Sequence, residues 1–455
     1  MFRFIKHIVM MLAAACMVIS LISQCTMPGF SGSRPKNVII MISDGCGFNH
    51  VDAAGCYEYG EKGNQGYESF PVRYAVSTYS SEGHGYHPDS AWVSESWLKQ
   101  KYTDSAASAT AISTGQKTKN GMLGLDAGGN PAGNILERME NTGKASGVVT
   151  SVPFHHATPA GFIVHQKSRN DISRIIDEML SQSTADVIMG AGHPAYDADG
   201  RKVSDEIMRD RLSGMAPLWA ALHEGSAGND ADRDGIPDPW VLIESREAFR
   251  KLQSGPAPKR VFGLAPVSGT LQQGRSGDAY APPYEIPLTE TVPTLAEMSL
   301  AAINVLDDDP DGFFLMIEGG AVDWAAHRNQ SGRLIEEQID FNQAVRAVTE
   351  WIEQSSSWKE TLLIITADHE TGLLTGPDGS PGTGPVQKIP VKCNGKGRVP
   401  GLAWHSGSHT NSLVPFYAKG PGSRRFCRYA DETDPVRGRY LDNTEIARAL
   451  FDLYE

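Results

Sequence analysis

At 455 residues with 40% apolar content and 47 glycines, the chain is long enough to bury a large core, and disorder is not its default state. A formal charge of −13 excludes the broad basic face that binding a nucleic acid requires. An anionic small substrate would have to meet a local positive site instead.

The chain opens MFRFIKHIVMMLAAACMVISLISQCTMPGF, with Arg3 and Lys6 ahead of an uncharged apolar run from Ile8 to Ser23. This layout predicts a secretory signal over residues 1–28 and export to the periplasm or outer surface. A membrane-spanning anchor would want about 20 apolar residues and flanks that hold it. Cys25 closes the run at the place of a lipidated first residue, although Gln24 before it is larger than such processing prefers. Cys46, Cys56, Cys393 and Cys427 follow; an oxidising compartment would allow three pairings of the four, and buried thiols are the other reading.

Short β-branched runs then recur: NVIIMIS at 37, VVTS at 148, DVIMG at 186, FFLMIE at 313 and TLLIITAD at 361. Between them SRIIDEMLSQ, TLAEMSLAAINVL and LIEEQIDFNQAVRAVTEWIEQ carry helical spacing. The alternation predicts an α/β fold with an open, mostly parallel sheet and helices on both faces. From about 193 to 290, abundant Gly, Pro and Asp break the rhythm. That stretch reads as a loop-rich insertion within a single domain over 29–455.

In such sheets the reactive crevice lies outside the carboxyl ends of the strands. Asp44 follows NVIIMIS; Glu318 ends FFLMI, with Asp323 and His327 behind it; Asp368 and His369 follow TLLIITA. Each has a plain structural explanation alone. Asp44 begins an Asp-Gly turn, and Asp323 with His327, spaced i, i+4, would make an ordinary helix-surface pair. Metal-ligand residue types at three strand ends together point to a metal centre.

The segment YTDSAASATAISTG, residues 102–115, fits a helix start, with Thr103 or Asp104 as cap and alanines continuing it. Ser105 would stand in the first turn, where free N–H groups and the helix dipole favour an oxyanion. Its hydroxyl needs a metal or base to become a nucleophile.

Extended to YTDSAASATAISTGQKTKNGMLGLD, this segment resembles the nucleophile region of the alkaline phosphatases, and the resemblance runs through most of the mature chain. It implies a three-layer α/β/α sandwich, two zinc ions and one magnesium ion. It also implies hydrolysis of phosphate monoesters to an alcohol and inorganic phosphate through a phosphoserine on Ser105. By the same resemblance, IMISDGCG supplies Asp44, shared by the second zinc and the magnesium. ATPAGFIVHQKSRN supplies Thr158 for magnesium and Arg169 for phosphate. FFLMIEGGAVDWAAH supplies Glu318 for magnesium and Asp323 and His327 for the first zinc. TADHETG supplies Asp368 and His369 for the second zinc, and SHTNS the last ligand of the first, at His409, with His405 the competing choice. Two positions depart from the best-known bacterial pattern. His156 stands where an aspartate can support magnesium, and Trp324 where a lysine can approach the phosphate, so magnesium would bind loosely or give way to zinc. Small phosphate monoesters are the expected partners, and the oligomeric state, a homodimer included, stays open.

Two other readings stand beside this one. A phosphodiesterase or phosphoglycerate mutase of the same superfamily would lack Arg169 and the DSAAS context. An inactive phosphate- or metal-binding surface protein would have lost Ser105 or a ligand. In the insertion, NDADRDGIPD sets Asp230, Asp232, Asp234 and Asp238 around Gly235, resembling a calcium loop but with Val241 where an EF-hand has its glutamate.

Overall fold

The computed structural model describes residues 34–377 and 388–455. The predicted signal over 1–28, with Cys25, lies outside the described residues. Eleven strands form one sheet: β1 (Asn37–Ser43), β2 (Val72–Ser77), β3 (Ala145–Pro153), β4 (Val187–Ala191), β5 (Val241–Ile243), β6 (Val261–Leu264), β7 (Phe313–Gly319), β8 (Thr361–Thr366), β9 (Val414–Lys419), β10 (Glu432–Asp434) and β11 (Gly438–Asp442). Their spatial order is β10-β11-β2-β9-β8-β1-β7-β3-β4-β6-β5. From β8 to β5 every neighbour is parallel, whereas β9 runs antiparallel to both β8 and β2.

All five apolar runs picked out in the sequence lie in or along strands of this sheet. β1, β4, β7 and β8 are buried at every position, as a parallel sheet covered on both faces demands. The covering helices include α1 (Phe48–Glu58), α2 (Ser105–Thr114), α3 (Ala157–Ala160), α4 (Leu295–Leu306), α5 (Ala321–His327), α6 (Ser331–Gln354) and α7 (Thr444–Tyr454). α6 packs on α1 and α4, while α2 packs on α3 and α7. Neighbouring residues of β7 separate these groups. Phe313 meets Trp351 of α6, and Phe314 stacks on Phe162 just beyond α3. Successive strand residues point to opposite faces, so the helices form two outer layers of a sandwich.

The loop-rich stretch 193–290 contributes β5 and β6 to the edge of the main sheet, together with three short helices. Trp240 fastens it there. The ring is 1% exposed, its indole N–H donates to the Leu180 carbonyl at 2.8 Å, and Arg260 lies 3.9 Å over it. Three- and four-residue strands leave too little periodicity to be read in advance. The SRIIDEMLSQ stretch also departs from a plain helix, passing at Glu178–Gln182 into a π-turn.

Register decides what the sheet presents at its carboxyl edge. Ile42 pairs with Glu318 on one side and Thr366 on the other, and Thr150 pairs with Glu318. The chain segments leaving β1, β3, β7 and β8 therefore start from one row. Behind that edge, Cys56 at the end of α1 is bonded to Cys393, 337 residues later, while Cys46 is a buried free thiol. Replacing Cys56 and Cys393 together by alanine is expected to remove about 3–5 kcal/mol of unfolding free energy, because so long a loop is closed. Equilibrium denaturation of the double variant checks this, and a midpoint matching the wild type would contradict it.

Candidate active site

Asp104 and Gly115 bound α2, the first as N-cap and the second at φ 71°, where a side chain would be strained. Asp104 does two tasks with its two oxygens. Oδ1 accepts from the Ala107 N–H at 2.9 Å; Oδ2 accepts from the Gly121 N–H at 3.0 Å and from Arg169 Nη1 at 3.1 Å. The rest of α2 is small because its surroundings are close. Ser113 donates to the Gly161 carbonyl at 2.6 Å, and a Cβ on Gly161 would fall 2.8 Å from that of Ala109. Ser108 donates to the Asp368 carbonyl at 2.6 Å and so ties the helix to the end of β8. Ser105, 2% exposed, is thereby fixed in the first turn.

Around it the structure gathers acids and imidazoles from distant segments. Asp323, His327 and His409 form one group, with donor atoms within 4.8 Å of one another. His327 Nδ1 lies 2.8 Å from the Gly407 carbonyl, and His409 Nδ1 lies 2.8 Å from the Thr103 carbonyl. A carbonyl only accepts, so each Nδ1 carries a proton; against burial, the Asp323 carboxylate raises His327 to about 9, so its Nε2 also holds a proton that a bound cation would displace. Those two Nε2 atoms are 3.0 Å apart, with Asp323 Oδ2 3.3 Å from one and Oδ1 3.6 Å from the other. With that proton displaced, two lone pairs and a carboxylate converge on one point, and the outward N–H bonds to carbonyls are the support that metal-binding histidines use.

The second group surrounds His369. Thr371 donates its hydroxyl to Asp323 Oδ1 at 2.6 Å and so accepts from His369 Nδ1 at 3.3 Å. His369 Nε2 is left bare, 3.2 Å from Ser105 Oγ, 3.1 Å from Asp368 Oδ2 and 3.6 Å from Asp44 Oδ1. The third group joins Asp44, His156 and Glu318. Thr158 is fully buried in α3, the helix that follows His156 directly, and Thr150 donates to Glu318 Oε2. Both oxygens of Asp44, Oδ2 of Asp368 and Oε1 of Glu318 are buried without a hydrogen-bond partner.

Unpartnered buried carboxylates are costly, and the electrostatics register the strain. Burial, followed by the charges of Asp368, Asp323 and Glu318, pushes Asp44 well above the usual carboxylate range. Burial and the Asp323 charge lift Asp368 to about 7, and burial raises Glu318. Burial and Arg169 depress His156 to about 3, keeping its ring neutral. Asp323 alone stays below its ordinary value: burial opposes its charge, but the His327 hydrogen bond and the His409 charge outweigh it. Divalent cations would remove the repulsion at one stroke, and the donor set fits them: oxygen and imidazole in two groups, mostly oxygen in the third.

A cavity of about 550 Å³ opens above Ser105, lined by Arg169, Trp324 and His327 among others. Trp324 meets His156 edge-on at 5.7 Å, and His156 Nε2 lies 3.3 Å from Arg169 Nη2. Every sequence-predicted residue of the metal and phosphate sites is thus at this edge of the sheet. His405 is apart from it, with Nε2 2.8 Å from Thr375 Oγ1, and it is His409 that faces His327. In the insertion, Asp230, Asp232 and Asp234 come within mutual reach, but Lys259 Nζ already lies 2.6 Å from Asp232 and 2.7 Å from Asp238. The sequence left the cap open between Thr103 and Asp104 and gave no sign of the hold of Asp104 on Arg169, of Thr371, or of Tyr102, which packs against His409 with ring centres 5.7 Å apart. No local signal marks contacts between residues so far apart in the chain.

Known proteins resemble this chain in sequence and in fold. The alkaline phosphatase family model matches residues 35–392. Alkaline phosphatase 3 of Bacillus subtilis is 27% identical over 91% of this chain and 88% of its own length. The alkaline phosphatase of Escherichia coli is 28% identical over 89% and 85%. A solved histidine-to-aspartate variant of the TAB5 alkaline phosphatase, with Mg bound, superposes with a TM-score of 0.61 at 23% identity, covering 92% of this chain and 98% of that one. With a shared family model over most of its length and the same fold in a solved relative, the chain belongs to the alkaline phosphatase family.

Proposed function

We propose that this chain is an exported, metal-dependent phosphomonoesterase that works through a phosphoserine on Ser105. The observation that carries this reading is the surrounding of Ser105 Oγ: the first turn of a helix, a bare His369 Nε2 at 3.2 Å and a guanidinium across the same cavity. The Cys56–Cys393 disulfide fits an oxidising compartment, and no helix among the described residues is long and apolar enough to cross a membrane.

Asp323, His327 and His409 would hold one zinc, and Asp44, Asp368 and His369 a second. Asp44, Glu318 and Thr158, with His156 beside them, would hold magnesium. Bound there, the ions supply the positive charge that stabilises the attacking and leaving oxygens of an in-line displacement. The protein's own groups do the rest. Arg169 offers its planar fork to two non-bridging phosphate oxygens, and Asp104 keeps the fork in place from behind. The helix N-terminus favours negative charge on the bound group. Ser105 Oγ bonds to phosphorus as the bond from phosphorus to the alcohol oxygen breaks on the opposite side; the Ser105 proton passes to solvent, and the departing oxygen takes one up to leave as the alcohol. Water then cleaves the phosphoserine, restoring Ser105 and freeing phosphate. Trp324 adds no charge beside that phosphate, which eases its release.

Ser105→Ala is expected to lower turnover of 4-nitrophenyl phosphate by about a thousandfold or more, since removing a nucleophile removes the covalent route. Chelation should abolish wild-type activity and zinc restore it; activity surviving both treatments would overturn the reading, and hydrolysis confined to diesters would favour the superfamily alternative. Asp104→Ala should raise KM about tenfold by freeing the Arg169 fork, and cost about 1 kcal/mol of stability through the lost cap. His156→Asp should tighten Mg²⁺ binding to zinc-loaded protein by about tenfold in calorimetry, because a carboxylate replaces a neutral ring among hard oxygen ligands. Unaltered affinity would place His156 outside the third site.

A further inference from the structure

The cavity above Ser105 holds a second guanidinium. Arg328 lines it together with Arg169, but the two are held differently. Arg169 is paired with Asp104 at 3.1 Å. Arg328 is exposed and makes no ion pair or hydrogen bond with a described residue; its one close aromatic neighbour is Trp324, 6.0 Å from the guanidinium carbon to the ring centre. That distance is at the limit of a cation–π contact and leaves the five donors of the fork uncommitted.

The backbone beneath Arg328 is fixed although the side chain is free. Arg328 ends α5, and Asn329 follows at φ 53°. With its amide turned so that the nitrogen faces them, the Asn329 side chain donates to the Ala326 carbonyl at 3.0 Å and the Ser406 carbonyl at 2.9 Å. His327, one residue back, is pinned through Gly407. The free guanidinium therefore has a constant origin at the wall formed by His327 and His409. In a chain of net charge −13, an unpaired cation facing an anion-binding cavity is a local exception to the prevailing field.

We propose that Arg328 is a specificity-determining residue that selects phosphate monoesters whose alcohol carries a second anionic group, a carboxylate above all. The inference rests on the phosphomonoesterase reading. In-line attack from Ser105 sends the alcohol out on the side of His327 and His409, and its substituents emerge beside Arg328. A planar fork matches a carboxylate there, and the Trp324 face beside it lowers the local dielectric.

The test compares glycerol 3-phosphate with 3-phosphoglycerate, which differ by a hydroxymethyl against a carboxylate. In Arg328→Ala the ratio of kcat/KM, carboxylate over neutral, is expected to fall about fivefold at low salt, the size of a partly exposed ion pair. Arg328→Lys should keep most of the ratio, and in the wild type the ratio should shrink as salt is raised. Hydrolysis of both esters with the same ratio in wild type and Arg328→Ala overturns the proposal. If the metal-loaded wild type hydrolyses neither ester, the phosphomonoesterase reading fails instead. Calorimetric binding of phosphonoacetate against methylphosphonate then still decides the role of Arg328. A tighter phosphonoacetate complex that loses its advantage in Arg328→Ala supports it, and equal affinities in the wild type overturn it.

Discussion

Two imidazole nitrogens 3.0 Å apart, each with its other ring nitrogen bonded to a carbonyl on the far side, need positive charge between them, either the proton of His327, which Asp323 raises to about 9, or a cation in its place. The same holds for the acids behind them, where buried oxygens of Asp44, Asp368 and Glu318 lack any donor. An arrangement so unfavourable persists only where surrounding structure over-determines it and a bound cation repays it. The rest of the architecture can be understood as the means of holding these groups in place.

The parallel sheet supplies the first part of that hold. Because β1, β3, β7 and β8 run in one direction, their carboxyl ends deliver Asp44, His156, Glu318 and Asp368 to one edge. Loops supply the second. Thr371 reaches from beyond His369 to Asp323, and the carbonyls of Gly407 and Thr103 orient His327 and His409. Each of these is a neutral group fixing a ligand from outside, so the site gains direction without further charge. Residues Ser43 to Gly47 pack so closely on the opposing loops that a Cβ on Gly45 would lie 2.8 Å from Asp323 Oδ1, and one on Gly47 2.5 Å from the Glu370 side chain. Glycine at 45, with φ 73°, is what allows the turn after β1 to bring Asp44 beside Asp323.

How far the sequence reveals this depends on the range of the interaction. Buried strands announce themselves through continuous apolar runs, as NVIIMIS and TLLIITAD do, and the acids and imidazoles at their ends are legible by position alone. β5 and β6 give no such signal, because their contribution is pairing at a sheet edge rather than a long apolar face. The choice between His405 and His409 turns on contacts 306 and 30 residues away in sequence, with Thr103 and Thr375, and no spacing rule encodes them. The acidic loop at 230–238 shows another limit of spacing: its alternating carboxylates bring Asp230, Asp232 and Asp234 within mutual reach, while the contact of Lys259 with Asp232 and Asp238 carries no local signal.

Asp104 shows how closely the folding and recognition functions are joined. One oxygen starts α2 and thereby sets the position of Ser105, while the other sets the direction of Arg169. In the proposed reaction, nucleophile and phosphate clamp would both be referenced to this single carboxylate. Arg328 has no such reference, being fixed at its backbone and free at its tip. For the proposed monoester substrate, a cavity built this way would treat the two ends differently: the phosphate would meet pre-organised groups, and the alcohol one that adjusts. Pre-organisation at the phosphate end limits the entropy lost on binding, and freedom at the alcohol end admits ligands of different length at the cost of a weaker individual contact.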